Sequence, residues 1–191
     1  MSAKRAVIVG IPGVGKTTVI GRVRELLIEK GVSAKHIVFG TIMLDEAKKL
    51  GITERDRMRT LPMSEQKKLQ IKAAASIAQM TATLTLIDTH LFIRTQAGYL
   101  PGLPSEILTT LAPTNFFLIE AGVADVISRR SSDTTRNRQT TDAATIEMEN
   151  TLARGILAAS SVISGCPIKI VRNESNMVEA TANEVFQALL E

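Results

Sequence analysis

Residues 6–30 constrain the architecture more tightly than any other part of the chain. Ala6-Val7-Ile8-Val9 is a short apolar run with the character of a buried parallel strand. It leads into Gly10-Ile11-Pro12-Gly13-Val14-Gly15-Lys16-Thr17, a glycine, four free positions and then Gly-Lys-Thr, the pattern of a loop that cradles phosphate. The glycines permit φ > 0 and keep side chains away, so successive backbone N–H groups can turn inward onto an anion. Lys16 adds a full positive charge, and the Thr17 hydroxyl is a ligand for Mg²⁺. Val19, Val23, Leu26 and Leu27 then recur at helical spacing, so a helix points its N-terminal dipole at the same anion. Strand, loop and helix commit the chain to a parallel α/β sheet.

Further apolar runs continue that rhythm. His36–Gly40, Thr83–Asp88, Asn115–Glu120 and Pro167–Val171 read as strands, with the first strand at 4–10. Helical periodicity is predicted over 16–30, 41–50, 53–61, 64–81, 124–130, 142–163 and the C-terminal stretch after Asn176. Thr53 with Asp56, and Asn176 with Glu179, are spaced as N-cap pairs. Leu69, Ala73, Ile77 and Met80 form one inner stripe, and Leu152, Ile156, Ala159 and Ile163 another. Residues 89–104 read as a loop. Its segment Gly98-Tyr-Leu-Pro-Gly-Leu-Pro104 is stiff, and serves equally as a wall beside a ligand or as a plain rigid turn. The expected fold is a three-layer α/β domain, a five-stranded parallel sheet with helices on both faces, spanning all 191 residues.

Asp88 closes the third strand. Ligands of open parallel sheets bind outside the carboxyl ends of strands, which puts Asp88 beside the phosphate loop, as a second Mg²⁺ ligand with Thr17. Residues 131–139 are polar with no apolar period, and Arg129, Arg130, Arg136 and Arg138 fall around them. That composition suits a basic lid over polyphosphate. Arg154 lies off its helix's apolar stripe and by pattern alone is a surface residue.

Composition removes other classes. Net charge is +4 and no dense basic stripe occurs, and aromatics are 3%. Both argue against nucleic-acid binding. Cys166 is the only cysteine, which leaves no intrachain disulfide and no Cys-rich zinc site; it reads as a small core residue. His36 and His90 are far apart in sequence. No apolar run reaches membrane-spanning length and no leader pattern precedes the first strand, so a cytoplasmic protein without a membrane role is expected.

Taken together, these segments resemble the archaeal-type adenylate kinases, within the phosphate-loop nucleoside-monophosphate kinases. The likeness is carried by Gly10–Thr17, Phe39-Gly40-Thr41, Arg55-Asp-Arg-Met-Arg59, Asp88-Thr-His90, Gly98–Pro104 and the Thr-Arg-Asn-Arg core of 133–138. It implies the reaction Mg·ATP + AMP ⇌ 2 ADP. By resemblance Gly10, Gly13, Val14, Gly15, Lys16, Thr17 and Thr18 hold the ATP phosphates, and Gly40, Thr41 and Arg59 lie at the AMP site. Arg129 (or Arg130), Arg136, Arg138 and Arg154 close over the phosphates, with an AMP-binding segment at about 41–81 and a lid at about 129–141. The lid has no cysteine set, which excludes a zinc-bearing form. The Asp-Gly-Phe-Pro-Arg segment of the wider family is replaced here by Asp88-Thr-His-Leu-Phe-Ile-Arg94, so Arg94 stands beside Arg59 as the clamp for the AMP phosphate. The resemblance also implies a homotrimer. The alternatives are another small-molecule kinase of this fold, acting on CMP, UMP or shikimate, and a non-transferring nucleotide switch.

Overall fold

The computed structural model describes residues 3–95, 98–132 and 142–191, and for Asp56 and Arg59 the backbone alone. The chain runs β1 (Lys4–Val9), α1 (Lys16–Glu29), β2 (Ala34–Val38), α2 (Phe39–Lys48), α3 (Arg55–Arg59), α4 (Met63–Ala78) and β3 (Leu84–Asp88). Then follow β4 (Phe92–Thr95), β5 (Gly98–Pro101), α5 (Ser105–Leu111), β6 (Asn115–Glu120), α6 (Val123–Ser132), α7 (Ala143–Ser164), β7 (Ile168–Arg172) and α8 (Val178–Leu190).

Five strands form one parallel sheet in the order β2-β3-β1-β6-β7. The central strands carry almost unbroken apolar runs because both faces are covered, and every residue of β3 is buried. α1 packs against α8, while α4, α5 and α7 follow one another with α2 against α4. The chain leaves β1 toward β2 on one side and leaves β6 toward β7 on the other. Connections that diverge in this way open a crevice at the carboxyl ends of the strands, the usual ligand position in such sheets.

Several expectations change. Residues 92–95 and 98–101 are not loop: β4 and β5 pair antiparallel, Phe92 with Pro101 and Thr95 with Gly98. Of the residues that suggest a stiff connection, Gly98 begins β5 and Pro101 ends it, while Gly102 and Pro104 follow it. Residues 105–111, unassigned by pattern, form the short helix α5. Phe39 and Gly40 belong to α2 rather than to the second strand. Neither helix takes its cap at Thr53 or Asn176. The cap positions fall on Glu54 and Met177, neither with a side-chain cap bond, and Asn176 takes φ 65° instead. The inner face of α7 is shifted by one position, to Ile146, Glu149, Ala153, Leu157 and Ser160, which leaves Ile163 exposed. Cys166 is buried as expected, its thiol donating to Pro113 O at 2.7 Å.

Candidate active site

The loop between β1 and α1 stands at the carboxyl end of the central strand. Gly13 and Gly15 adopt φ 94° and 82°, the left-handed region that L side chains enter at a cost. At Gly10 the constraint is contact rather than φ. A Cβ there would lie 2.6 Å from the Ile119 carbonyl oxygen of β6.

Lys16 opens α1 and is buried, with its Nζ donating to Asp88 Oδ1. Asp88 is the last residue of β3, in register with Ile8 of β1 and Val38 of β2. Register therefore carries the carboxylate to the mouth of the loop, as the strand-end position predicts. A buried cation and anion each offset the desolvation of the other. Thr17 and Thr18 follow on the exposed side of the first turn. His36 of β2 places Nε2 4.0 Å from Asp88 Oδ2, with no hydrogen-bond partner for that nitrogen among the described residues. Burial, and then the charges of Arg24 and Lys16, hold its pKa below the usual 6.5.

The oxygen donors Thr17 and Asp88 suit Mg²⁺, a hard cation that binds one or two protein oxygens and takes the rest of its shell from phosphate and water. Among the described residues no group of three or more His, Cys, Asp or Glu side chains could hold a metal without help. Such a donor set fits a cation that arrives with a polyphosphate.

Two arginines of α6 reach under the loop. Arg129 Nη1 donates to Val14 O and to Asn173 O, both at 3.1 Å, and its Nη2 to Asn173 O at 3.0 Å. Arg130 Nε donates to Pro12 O at 2.9 Å, and its Nη2 meets Glu149 Oε2 of α7 at 3.0 Å. This ion pair is buried on both sides. Tyr99 of β5 donates its hydroxyl to the other oxygen of Glu149 at 3.4 Å, so hairpin, α7, α6 and loop are tied through one carboxylate. Burial, then the Glu149 charge, raise the Tyr99 pKa above 10.0.

Arg154 of α7 holds Glu120, the buried end of β6, through two bonds of 2.6 Å, while its own side chain stays half exposed. Its hydrogen bonds to Glu120 raise its pKa. Gly40 and Thr41 sit in the first turn of α2. Arg55 of α3 donates to Thr41 Oγ1 at 3.0 Å and lies against Gly40. Arg94 on β4 is exposed. Arg59 ends α3, and its side chain lies outside the described residues, as do Arg136 and Arg138 entirely.

The structure thus gathers Gly10–Thr18, Asp88, Arg129 and Arg130 at one strand-end cradle. It adds Asn173 and His36, which sequence reading missed because their contacts cross from distant segments. Arg55 was visible only as part of an arginine-rich stretch.

The model of the AAA domain matches residues 9–147. The chain is 42% identical to the adenylate kinase of Sulfurisphaera tokodaii over 98% of this chain and 100% of that one. It is 37% identical to the adenylate kinase of Methanocaldococcus jannaschii over 99% and 100%. Among solved structures, shikimate kinase from Bacteroides thetaiotaomicron aligns with a TM-score of 0.60 at 12% identity, covering 100% of each chain. Shikimate kinase from Aquifex aeolicus aligns at 0.60 and 16%, covering 97% and 96%. At those identities the structural likeness shows the fold alone.

Proposed function

Since the chain belongs to the adenylate kinase family, its reaction is ATP + AMP ⇌ 2 ADP, and we propose that the 10–18 cradle binds the ATP phosphates while the α2–α3 segment binds AMP. The observation that carries this division is the burial of Lys16 on Asp88 at the mouth of a glycine loop.

Gly10, Gly13, Val14, Gly15, Thr17 and Thr18 wrap the triphosphate, and Lys16 turns from Asp88 onto its β- and γ-oxygens. Thr17 and Asp88 would hold Mg²⁺, which when bound would supply positive charge at the phosphate oxygens. Gly40, Thr41, Arg55, Arg59 and Arg94 form the acceptor site. The nucleophile is an oxygen of the AMP phosphate. As it attacks, its bond to the γ-phosphorus forms while the bond from that phosphorus to the bridging oxygen breaks, and ADP leaves. The attacking oxygen is already anionic near neutral pH, so no strong base is required. Alignment and charge neutralisation by Lys16, Arg136, Arg138 and Arg154 carry the acceleration, with Arg129 acting through the loop carbonyl it holds. Residues 129–141 act as the lid that excludes water, and residues 41–81 as the AMP-binding segment within a single kinase domain.

Family resemblance further supports a cytoplasmic, archaeal-type homotrimer. The exposure of Val162 and Ile163 on α7 and of Ile170 on the edge strand β7 is in keeping with a buried subunit contact. Light scattering at micromolar concentration should give three times the chain mass.

The deciding experiment measures ADP formed from ATP with AMP, CMP, UMP and GMP in turn. AMP is expected to be the best acceptor by far, and faster turnover with any other overturns the assignment. ATP consumption without an acceptor would instead mark a nucleotide switch.

A further inference from the structure

The phosphate loop is braced from outside: one of its carbonyls is gripped by two distant segments. Val14 O accepts from Asn173 Nδ2 at 2.8 Å and from Arg129 Nη1 at 3.1 Å. A carbonyl oxygen has two lone pairs, so both acceptor positions of Val14 are filled. The donors are themselves joined, since Arg129 also grips Asn173 O through both terminal nitrogens. Asn173 is 1% exposed and is anchored through its backbone N–H to Glu120 O at 2.7 Å. The clamp is therefore fastened to the ends of β6 and β7, the rigid part of the molecule.

Its effect follows from peptide geometry. In a planar trans peptide the C=O and N–H point in opposite directions. Holding Val14 O toward Asn173 and Arg129 turns the next N–H, that of Gly15, to the other side. Gly15 has φ 82°, and a Cβ there would overlap Asn173 Nδ2, so glycine is required both by the backbone and by the closeness of the clamp. Inward-turned N–H groups in such loops are what receive phosphate oxygens.

The Asn173 side chain is also incompletely satisfied. Its Oδ1 is buried with no hydrogen-bond partner among the described residues. The amide orientation is nevertheless fixed, because exchanging oxygen and nitrogen would set Oδ1 against Val14 O. A buried orphan acceptor is a cost that a residue chosen for packing alone would avoid. A position that keeps this cost for one N–H donated to the loop points to function.

We infer that Asn173, together with Arg129, is a positioning residue that orients the Val14–Gly15 peptide so that the Gly15 N–H faces the bound triphosphate. The inference rests on the loop being the ATP phosphate site. Asn173 touches no substrate. It acts through the loop, and by sharing Arg129 it links the loop to the last turn of α6.

The test uses Asn173→Ala and Asn173→Asp in the full chain, with calorimetric binding of ATP alone and of AMP alone, and the amide NMR signal of Gly15 followed as ATP is added. Ala leaves Val14 O one donor. Asp keeps the volume of Asn but sets a carboxylate oxygen against the carbonyl. Orientation predicts ATP affinity in the order parent, Ala, Asp, with the Asp variant weakened by about tenfold or more. AMP affinity should stay within about twofold, and the ATP-induced shift of the Gly15 amide should shrink in the same order. Packing alone predicts the reverse, because Asp is the isosteric replacement. An Asp variant that binds ATP as tightly as the parent, or more tightly than Ala, overturns the inference, as does an equal loss of AMP binding. If the Asp variant does not fold, a parental ATP affinity and Gly15 shift in the Ala variant overturn it alone. A parent that fails to bind ATP defeats the reading of the loop itself and is recognised before any variant is compared.

Discussion

At the level of single residues, the site is built from buried charge held in reserve. Lys16 is paired with Asp88 in a setting with little water, so in the proposed function nucleotide binding would exchange one partner for another. Lys16→Ala should lower kcat by at least ~10², the scale of losing one transition-state contact. Arg24→Ala, on the exposed side of the same helix, should leave turnover near parental, and steady-state ADP formation checks both. Much of this was legible beforehand. Lys16, Thr17 and Asp88 are fixed by a local motif and by the rule that strand ends line the crevice. The grip of Asn173 and Arg129 on Val14 was not, because it joins residues separated by up to 159 positions and no spacing rule spans that distance. His36 was likewise hidden, since only the pairing of β2 with β3 brings it near Asp88.

Among the elements, the five strands were readable because parallel strands buried on both faces carry continuous apolar runs. The hairpin β4–β5 was not. Its strands are four residues each, and β5 begins on Gly98 and ends on Pro101, residue types that ordinarily mark turns. The one-position error on α7 has a similar origin: its inner face includes Glu149 and Ser160, polar residues that a hydrophobic stripe passes over. Glu149 is there to meet Arg130, and both are buried. Glu149→Ala should therefore destabilise by about 3–5 kcal/mol, the usual result of leaving one buried charge without its partner. Urea unfolding checks this, and near-parental stability would contradict the network. The start of α7 gives a pH-dependent counterpart. Asp142 Oδ1 accepts from Thr145 N at 2.7 Å, and that bond, followed by the Thr145 hydroxyl, lowers the Asp142 pKa below 3.8. A lowered carboxylate pKa contributes stability above the ordinary value, and the contribution is lost as pH falls through the folded-state value. Asp142→Ala should thus lower Tm near neutrality and match the parent in strong acid. Asp142→Asn, an equally good cap, should stay close to the parent throughout.

For the molecule as a whole, ligand and fold stability are joined because the cradle is assembled from the ends of β1, β3, β6 and β7 through Gly10, Asp88, Ile119 and Asn173. ATP at one hundred times its dissociation constant adds about 2.7 kcal/mol, or about 5–10 °C in Tm for a chain of this size. A thermal scan that does not move with ATP would contradict a site so placed. The hairpin carries one more consequence. The sequence holds one tyrosine and no tryptophan, so the protein's tyrosine emission comes from a single ring, Tyr99. That ring stands edge-on to Phe92 with centroids 5.0 Å apart, and its hydroxyl meets the carboxylate that also holds Arg130 beneath the phosphate loop. The chain therefore carries its own optical probe at the junction of hairpin and cradle, and a change in emission on adding nucleotide would report on that junction with no label attached.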